Sequence, residues 1–117
     1  MRANRERLLD ILEAIAQIEK YAVRGKAVFE KDELIQNWIV NRLQIIGEAS
    51  RGLTPDFREE HSEIPWTDII GMRNILVHDY FGIDTEIVWS VVEESLPSLK
   101  SRVSAILERE ELREDNE

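Results

Sequence analysis

Apolar residues recur every three or four positions through two long stretches of this sequence, and this spacing restricts its fold more than any other feature. In the first stretch, from about Asn4 to Val23, these positions are Leu8, Ile11, Leu12, Ile15, Ile18 and Ala22. In the second, from about Asp32 to Arg51, the same face carries Ile35, Trp38, Ile39, Arg42, Leu43, Ile46 and Ala49. A period of 3.6 residues places such side chains on one face of an α-helix. We therefore predict two long amphipathic helices, with Asn4 and Asp32 as N-caps and Gly25 as a stop.

The next part of the chain predicts a connector followed by a third helix. Thr54 precedes Pro55, a pair typical of an N-cap and the first helical position, so the connector of residues 53–63 should contain one short helical turn. His61 lies among acidic residues here, and we predict a solvated loop histidine. The third helix is predicted from Pro65 to about Asp79, because its apolar residues also follow a helical period.

The C-terminal third predicts a fourth helix that is interrupted by proline. Asp84 is a good N-cap for its start. Pro97 lacks an N–H and clashes with the preceding turn, so the helix should break near Ser95 and resume from 97 to about 110. We expect an all-α, up-and-down bundle of four long helices, the last broken near Pro97. Residues 1–110 would form a single domain, and residues 111–117 an acidic, frayed tail.

Composition excludes several classes of protein. The 117 residues are one domain's worth, and a hydrophobic fraction of 43% is enough to form a core. Cysteine is absent, which excludes a disulfide scaffold and a thiolate metal site. The start of the chain does not read as a signal peptide, and no apolar run is long enough for a membrane span, so we expect a cytoplasmic protein without a membrane partner. A net charge of −9 argues against a protein that coats nucleic acid through a broad basic face.

One short motif stands apart from the solvated helix faces. Arg73, Asn74, His78 and Tyr80 fall within eight residues near the end of the third predicted helix. On a helix Asn74 and His78 would share a face, and Arg73 would lie about 140° from His78, within reach of its long side chain. The four groups are close enough in sequence to act on one ligand.

The chemistry of this motif suits phosphate. A guanidinium binds phosphate through a two-pronged fork and stabilises charge that develops in a transition state. A histidine can take a proton from a 2′-hydroxyl or give one to a leaving oxygen, which suits cleavage of RNA without a metal or cofactor. The alternative is structural: Arg73 in a helix ion pair, His78 on the last carbonyls and Tyr80 as a packing anchor. Spacing alone leaves both interpretations open.

Two stretches of the sequence resemble a known family. The string IPWTDIIGMRNILVHDYFGID, from Ile64 to Asp84, closely resembles the HepT-like branch of the HEPN superfamily, whose hallmark is arginine, four residues, histidine, one residue and tyrosine. Arg73, His78 and Tyr80 match that hallmark. The string NRLQIIGEA, residues 41–49, looks like the arginine-to-GEA segment of the same branch. The order of helices and the total length agree as well.

The resemblance implies a function and partners. It implies an all-α homodimer with its cleft at the dimer interface, acting as the toxin of a type VII (HEPN/MNT) toxin–antitoxin system, with the antitoxin present in a possible higher assembly. The toxin would be a metal-independent endoribonuclease, and the antitoxin an MNT-type nucleotidyltransferase that blocks it by transferring AMP onto the motif tyrosine, here Tyr80.

Carried onto this chain, the resemblance assigns roles to individual residues. Arg73 would hold the scissile phosphate, and His78 would be the general acid or base. Asn74 would orient the phosphate or the histidine, and Glu48 would orient Arg73, although Glu48 also reads as an exposed helix charge. Gly47 would allow another helix to approach closely.

Two other functions remain open: a catalytically inactive HEPN dimer that binds a nucleotide or a partner, and a helical adaptor that serves only for assembly. The acidity of the chain favours the first of these. It is concentrated at the C-terminus, however, where the last ten residues hold six acids and two arginines, a net −4. Residues 1–30 hold six basic and five acidic groups, a net +1. For a ribonuclease we therefore expect weak RNA binding with steep salt sensitivity.

Overall fold

The computed structural model describes the backbone of residues 2–72, 77–78 and 82–115, and the side chains of residues 3–72 and 82–111. Its elements, in chain order, are α1 (Arg2–Ala22), α2 (Lys26–Lys31), α3 (Glu33–Arg51), α4 (Pro55–Glu60), α5 (Trp66–Ile70), β1 (Val77–His78), β2 (Gly82–Ile83), α6 (Thr85–Ser90), a π-helical segment (Val91–Ser95) and α7 (Leu96–Asp115). The described chain is thus helical apart from two very short strands, and the predicted all-α class is confirmed.

The two long N-terminal helices, α1 and α3, pack against each other in opposite directions. Near the start of α1, the Asn4 side chain donates to Thr54 Oγ1 at 3.2 Å and accepts from the Thr54 N–H at 3.1 Å, just beyond the end of α3. Near the other end, Trp38 Nε1 in α3 donates to the Gln17 carbonyl in α1 at 3.1 Å. Contacts that join the start of one helix to the end of the other require an antiparallel pair.

The C-terminal helix α7 also lies antiparallel to α1. Arg5 near the start of α1 pairs with Glu111 near the end of α7 at 3.1 Å. Lys100 near the start of α7 pairs with Glu19 near the end of α1, also at 3.1 Å. Exposed pairs such as these contribute little to stability, but they show that α1 and α7 run in opposite directions.

The core lies between these helices and the shorter elements that cross them. Its largest fully buried side chains are Leu8, Ile11, Ile15, Ile18, Phe29, Ile39, Leu43, Ile46, Leu53, Ile64 and Val88. Most of these come from the periodic faces of α1 and α3, as expected when an amphipathic helix buries one stripe. The remainder come from α2, α6 and the connectors, which close the bundle on its other side.

Helix starts follow the predicted capping chemistry with one exception. Asp32 accepts from the N–H groups of Leu34 and Ile35, and Thr54 accepts from the N–H of Phe57 with Pro55 in the first turn. Asn4 is the exception, because α1 already begins at Arg2. Asn4 is buried inside the first turn, and its amide instead joins α1 to Thr54. A tertiary contact therefore replaces the predicted N-cap.

The proline in the last helix produces a change of helical register. The backbone stays helical through Ser90 and Leu96, and the Leu96 N–H bonds to the Val91 carbonyl, five residues back. This π-helical segment immediately precedes Pro97, which has no N–H to donate. The predicted irregularity near Ser95 is therefore confirmed in position, but α6, the π-helical segment and α7 follow one another without a gap. The frayed tail at 111–117 stays a prediction.

The third long helix is the main error of the sequence-based prediction. The helix predicted from Pro65 to Asp79 ends at Ile70, where Gly71 forms the C-cap. Val77 and His78 lie instead in β1, which pairs antiparallel with β2 in the register Val77↔Ile83 and His78↔Gly82. Gly82 has a φ of +75°, a conformation that glycine adopts at no steric cost. Pairing with the nearby strand β2, only four to six residues away, overrides the helical period, and β-branched Val77 suits a strand.

Candidate active site

The predicted motif residues fall mostly outside the described part of the chain. Arg73, Asn74 and Tyr80 lie in the stretches 73–76 and 79–81, which the structure does not describe. The backbone of His78 is described, in β1 and paired with Gly82. The interpretation that placed Asn74 and His78 on one helical face fails, because His78 is in a strand. The roles of all four residues stay predictions.

The structure does show what holds the motif at each end. On its N-terminal side, α5 ends at the Gly71 cap, whose N–H bonds to the Thr67 carbonyl at 3.0 Å. On its C-terminal side, β1 pairs with β2, and Asp84 then caps α6 by accepting from the N–H of Ile87 at 3.2 Å. The motif is thus anchored by a capped helix end before it and by a paired strand and a capped helix start after it.

Both anchors pack against the same helix, α3. The closest approach is at Gly47, which is buried: a Cβ added there would lie 3.2 Å from the Ile69 carbonyl oxygen in α5. That distance is tighter than most real Cβ contacts, so the missing side chain is what allows α5 to lie this close. The close approach predicted for Gly47 therefore occurs within the chain, between α3 and α5.

Glu48 lies at the edge of this crossing. A small cavity of about 180 Å³ between α3 and α5 is lined by Glu48 and Gln44 from one helix and by Ile69 and Ile70 from the other. The Glu48 side chain is exposed, and among the residues that the structure describes it makes no ion pair. Glu48 thus lies beside the end of α5. The last residue of that helix, Ile70, is three positions before Arg73 in the sequence. Its role as the partner of Arg73 stays a prediction.

A larger apolar groove also borders α5. Its volume is about 540 Å³, and its lining includes Ile69, Met72, Ile87, Val91, Leu99 and Arg102. Met72 directly precedes Arg73 in the sequence, and Val91 belongs to the π-helical segment. Ile69 thus lines both the cavity at Glu48 and this groove.

The sequence prediction was wrong about His61. Its side chain is only 13% exposed, its ring centroid lies 4.5 Å from that of Phe57, and its Nδ1 lies 3.7 Å from a carboxylate oxygen of Glu63. The His61 carbonyl accepts from Trp66 Nε1 at 3.0 Å. His61 therefore caps α4 and fastens the start of α5. A tryptophan five residues away was the one available signal for this bond.

Two features are absent from the described residues. Between residues 2 and 115, leaving out 73–76 and 79–81, no three histidine, aspartate or glutamate side chains converge as a metal site. Over the same residues, no helix is both long and apolar enough to cross a membrane.

The geometry defines a small helical domain that anchors one polar motif, on both sides, against a long central helix. This chain matches the family described as "Ribonuclease HepT-like" over residues 11–106, and it belongs to that family, within the HEPN superfamily.

Several curated proteins are similar over most of their length. "Probable ribonuclease HepT" of Thermococcus cleftensis is 40% identical over 104 residues, covering 86% of this chain and 93% of that protein. "Putative RNase MJ1380" of Methanocaldococcus jannaschii is 38% identical over 100 residues, covering 85% and 92%. "Putative RNase TTE0752" of Caldanaerobacter subterraneus is 43% identical over 82 residues, covering 70% and 73%. No solved structure matches the chain significantly.

Proposed function

We propose that this chain is a metal-independent endoribonuclease and that Arg73 and His78 carry the reaction. The observation that supports this most directly is the family match across residues 11–106, which includes the whole motif. The geometry adds that both flanks of the motif, α5 and β2, pack against α3.

The proposed reaction uses the 2′-hydroxyl of RNA as the nucleophile. A base removes its proton, the 2′-oxygen attacks the adjacent phosphorus, and the bond to the 5′-oxygen breaks as that oxygen takes up a proton. His78 is the general acid or base of these transfers. Arg73 holds the phosphate oxygens and stabilises the charge that they gain in the transition state. The products are a 2′,3′-cyclic phosphate and a 5′-hydroxyl.

Two further residues support this pair in the proposal. Asn74 directly follows Arg73 and orients the phosphate or the histidine. Glu48 orients the guanidinium of Arg73, which fits its place beside the end of α5. The active form is a homodimer in which two copies of the motif face one cleft, so that a second histidine is available for the opposite proton transfer.

The chain is further proposed to be a toxin that works in the cytoplasm and is paired with an MNT-type nucleotidyltransferase antitoxin. In the inhibiting step, the Tyr80 oxygen attacks the α-phosphorus of ATP, and pyrophosphate leaves. The attached AMP brings a negative charge next to Arg73 and His78. It would compete with RNA for the guanidinium and obstruct the cleft.

Cleavage of RNA in EDTA tests the activity. We expect the unmodified protein to cut a single-stranded RNA in EDTA and to leave 2′,3′-cyclic phosphate ends, because arginine and histidine need no metal for this chemistry. A substrate with a 2′-deoxy sugar at the cleaved position should remain intact, since the nucleophile is then missing. Mass spectrometry of the fragments identifies the ends. An intact RNA after incubation with unmodified protein would instead favour a catalytically inactive dimer that binds a nucleotide or a partner.

Coexpression with the antitoxin tests the modification. We expect the intact mass of the chain to rise by one or more AMP units, and the modified protein to lose its cleavage activity. Tyr80→Phe lacks the acceptor oxygen and should stay unmodified. Tyr21→Phe is the matched control and should be modified as the wild type is, since Tyr21 is the other tyrosine of the chain. AMP that still attaches to Tyr80→Phe would contradict the assignment.

A further inference from the structure

Two aromatic rings and three cations form one contiguous cluster where the end of α1 meets the first half of α3. The Tyr21 and Trp38 ring centroids lie 5.6 Å apart, edge to face at 72°. The Arg42 guanidinium carbon lies 3.7 Å from the Trp38 ring centroid. Arg24 lies over Tyr21 at 5.2 Å, and Lys20 lies over the same ring at 5.9 Å. We call these five residues the aromatic ladder.

The cations of the ladder make no ion pair within the described residues. Three other surface cations do pair with carboxylates, in Arg5–Glu111, Lys26–Glu30 and Lys100–Glu19. The buried Nε of Arg42 also has no hydrogen-bond partner in the described part of the chain. Three positive charges are thus gathered around two rings, and no carboxylate of the described residues forms an ion pair with them.

The surface next to the ladder is also free of acids along α3. Between Glu33 and Glu48, the only charged residue is Arg42. The exposed positions of this stretch include the amides Asn37 and Asn41, and Gln44 is half-buried. Arg42 Nη1 donates to the Asn41 side-chain oxygen at 2.6 Å. This surface of rings, cations and amides offers stacking, phosphate neutralisation and hydrogen bonds to base edges, and Asp10 of α1 and Glu48 border it beside Asn41 and Gln44.

We propose that the aromatic ladder and the adjoining amide face of α3 bind single-stranded RNA. Bases stack on aromatic rings and on guanidinium planes, and cations beside the rings neutralise the phosphates. A second copy of this chain fits the ladder less well, because a two-fold contact there would set three cations against the same three.

The position of the ladder links it to the candidate active site, and this part of the inference rests on the proposed function. Arg42 and Gly47 are five residues apart on α3, about 8 Å of helix rise and about 140° around the helix axis. Gly47 is where α5 crosses α3 just before the motif. A strand that lies on the ladder would therefore pass around the exposed side of α3 to reach the end of α5, which precedes the motif. The ladder would be a substrate-positioning surface that holds the strand while a neighbouring phosphate is cut.

Binding measured without cleavage tests the charges. Fluorescence anisotropy of a labelled single-stranded RNA is measured with full-length His78→Ala protein, alone and with Lys20→Gln/Arg24→Gln added. Both added changes are at exposed positions. We expect about tenfold weaker binding, and a salt dependence of log K that is shallower by about 1.4, from two lost phosphate contacts. The matched control Arg51→Gln/Arg109→Gln removes the same charge from two other exposed positions and should bind as before. Equal affinity of the two double variants would overturn the proposal.

Tryptophan substitutions test the stacking. Trp38→Leu should weaken binding of the single strand about tenfold and leave binding of a duplex unchanged, since paired bases cannot stack on the ring. Trp38→Phe should keep the affinity but lose most of the fluorescence quenching that RNA causes. Quenching that persists in Trp38→Phe would contradict the stacking, and ladder variants that change from dimer to monomer in sedimentation would show a self-association face instead. If the wild type binds in this way but never cleaves RNA, only the proposed function fails.

Discussion

Replacing His78 with alanine is expected to slow RNA cleavage by about 10²- to 10⁴-fold, the range typical of a lost general acid or base. The chain offers a matched control, because its only other histidine is His61. His61 caps α4 and stacks on Phe57, so His61→Asn should lower the free energy of unfolding. It leaves His78, the proposed general acid or base, in place. We expect His61→Asn to cleave RNA at the wild-type rate below its unfolding temperature.

Single-turnover cleavage in EDTA, with the protein in excess over a labelled RNA, measures this difference directly. Arg73→Lys belongs in the same series, because lysine keeps the charge but loses the two-pronged fork, and we expect a rate between those of the wild type and of Arg73→Ala. Circular dichroism shows whether each variant is folded. Wild-type rates in folded His78→Ala, or an equal loss in folded His61→Asn, would contradict the assignment of His78.

The second large effect is expected at the crossing of α3 and α5. A valine at position 47 would push its side chain against the Ile69 carbonyl, since a Cβ alone already lies 3.2 Å from that oxygen. Overpacking of this kind costs about 1–3 kcal/mol. We therefore expect Gly47→Val to lower the free energy of unfolding by that amount. It should also reduce cleavage in the protein that remains folded, because a displaced α5 moves Arg73.

The intrinsic helix propensities of glycine and valine cannot account for such a loss of stability. Valine is a better helix former than glycine, so without crowding the substitution would be neutral or mildly stabilising. Ala16→Val, at an exposed position in α1, is the control and should cost at most about 0.6 kcal/mol. Urea denaturation compares the two variants. A Gly47→Val protein as stable as the wild type would mean that α5 does not need this close approach.

The correct predictions concern features that a few neighbouring residues encode. Asp32 and Thr54 are N-caps in the structure because a short side-chain oxygen needs only the next turn to find its N–H donors. The irregularity before Pro97 appears where predicted because proline has no N–H in any context. The periodic faces of α1 and α3 predicted which of their side chains would be buried.

The errors concern contacts that a local helical or capping pattern does not reveal. Asn4 looked like an N-cap, but its amide bonds to Thr54, fifty residues away. His61 looked solvated, but Phe57 and Trp66, four and five residues away, contact it once α4 and α5 have formed. The third helix looked continuous to Asp79, but Val77 and His78 form a short hairpin with β2. In each case the local pattern was compatible with two structures, and only the folded chain shows which of them forms.

Charge shows the same division between sequence and structure. The net charge of −9 argued against a broad basic face, and no basic stripe is visible along the chain. Lys20 and Arg24 are close in sequence, and Arg42 becomes their neighbour only because α3 packs antiparallel to α1. The net charge is the sum of all charges and does not show where they lie. Binding at a surface depends on the positions of its charges.

The sequence by itself determined the helical class, the main helix caps, the register change before Pro97 and the motif that marks the family, because each depends on residues within a turn or two of one another. Only the tertiary structure decided that α5 is short, that His78 lies in a strand, and that Gly47 brings α5 against α3. The approach at Gly47 depends on packing between distant segments. The end of α5 and the short hairpin depend on local alternatives of similar free energy, between which the small preferences in a sequence pattern do not decide.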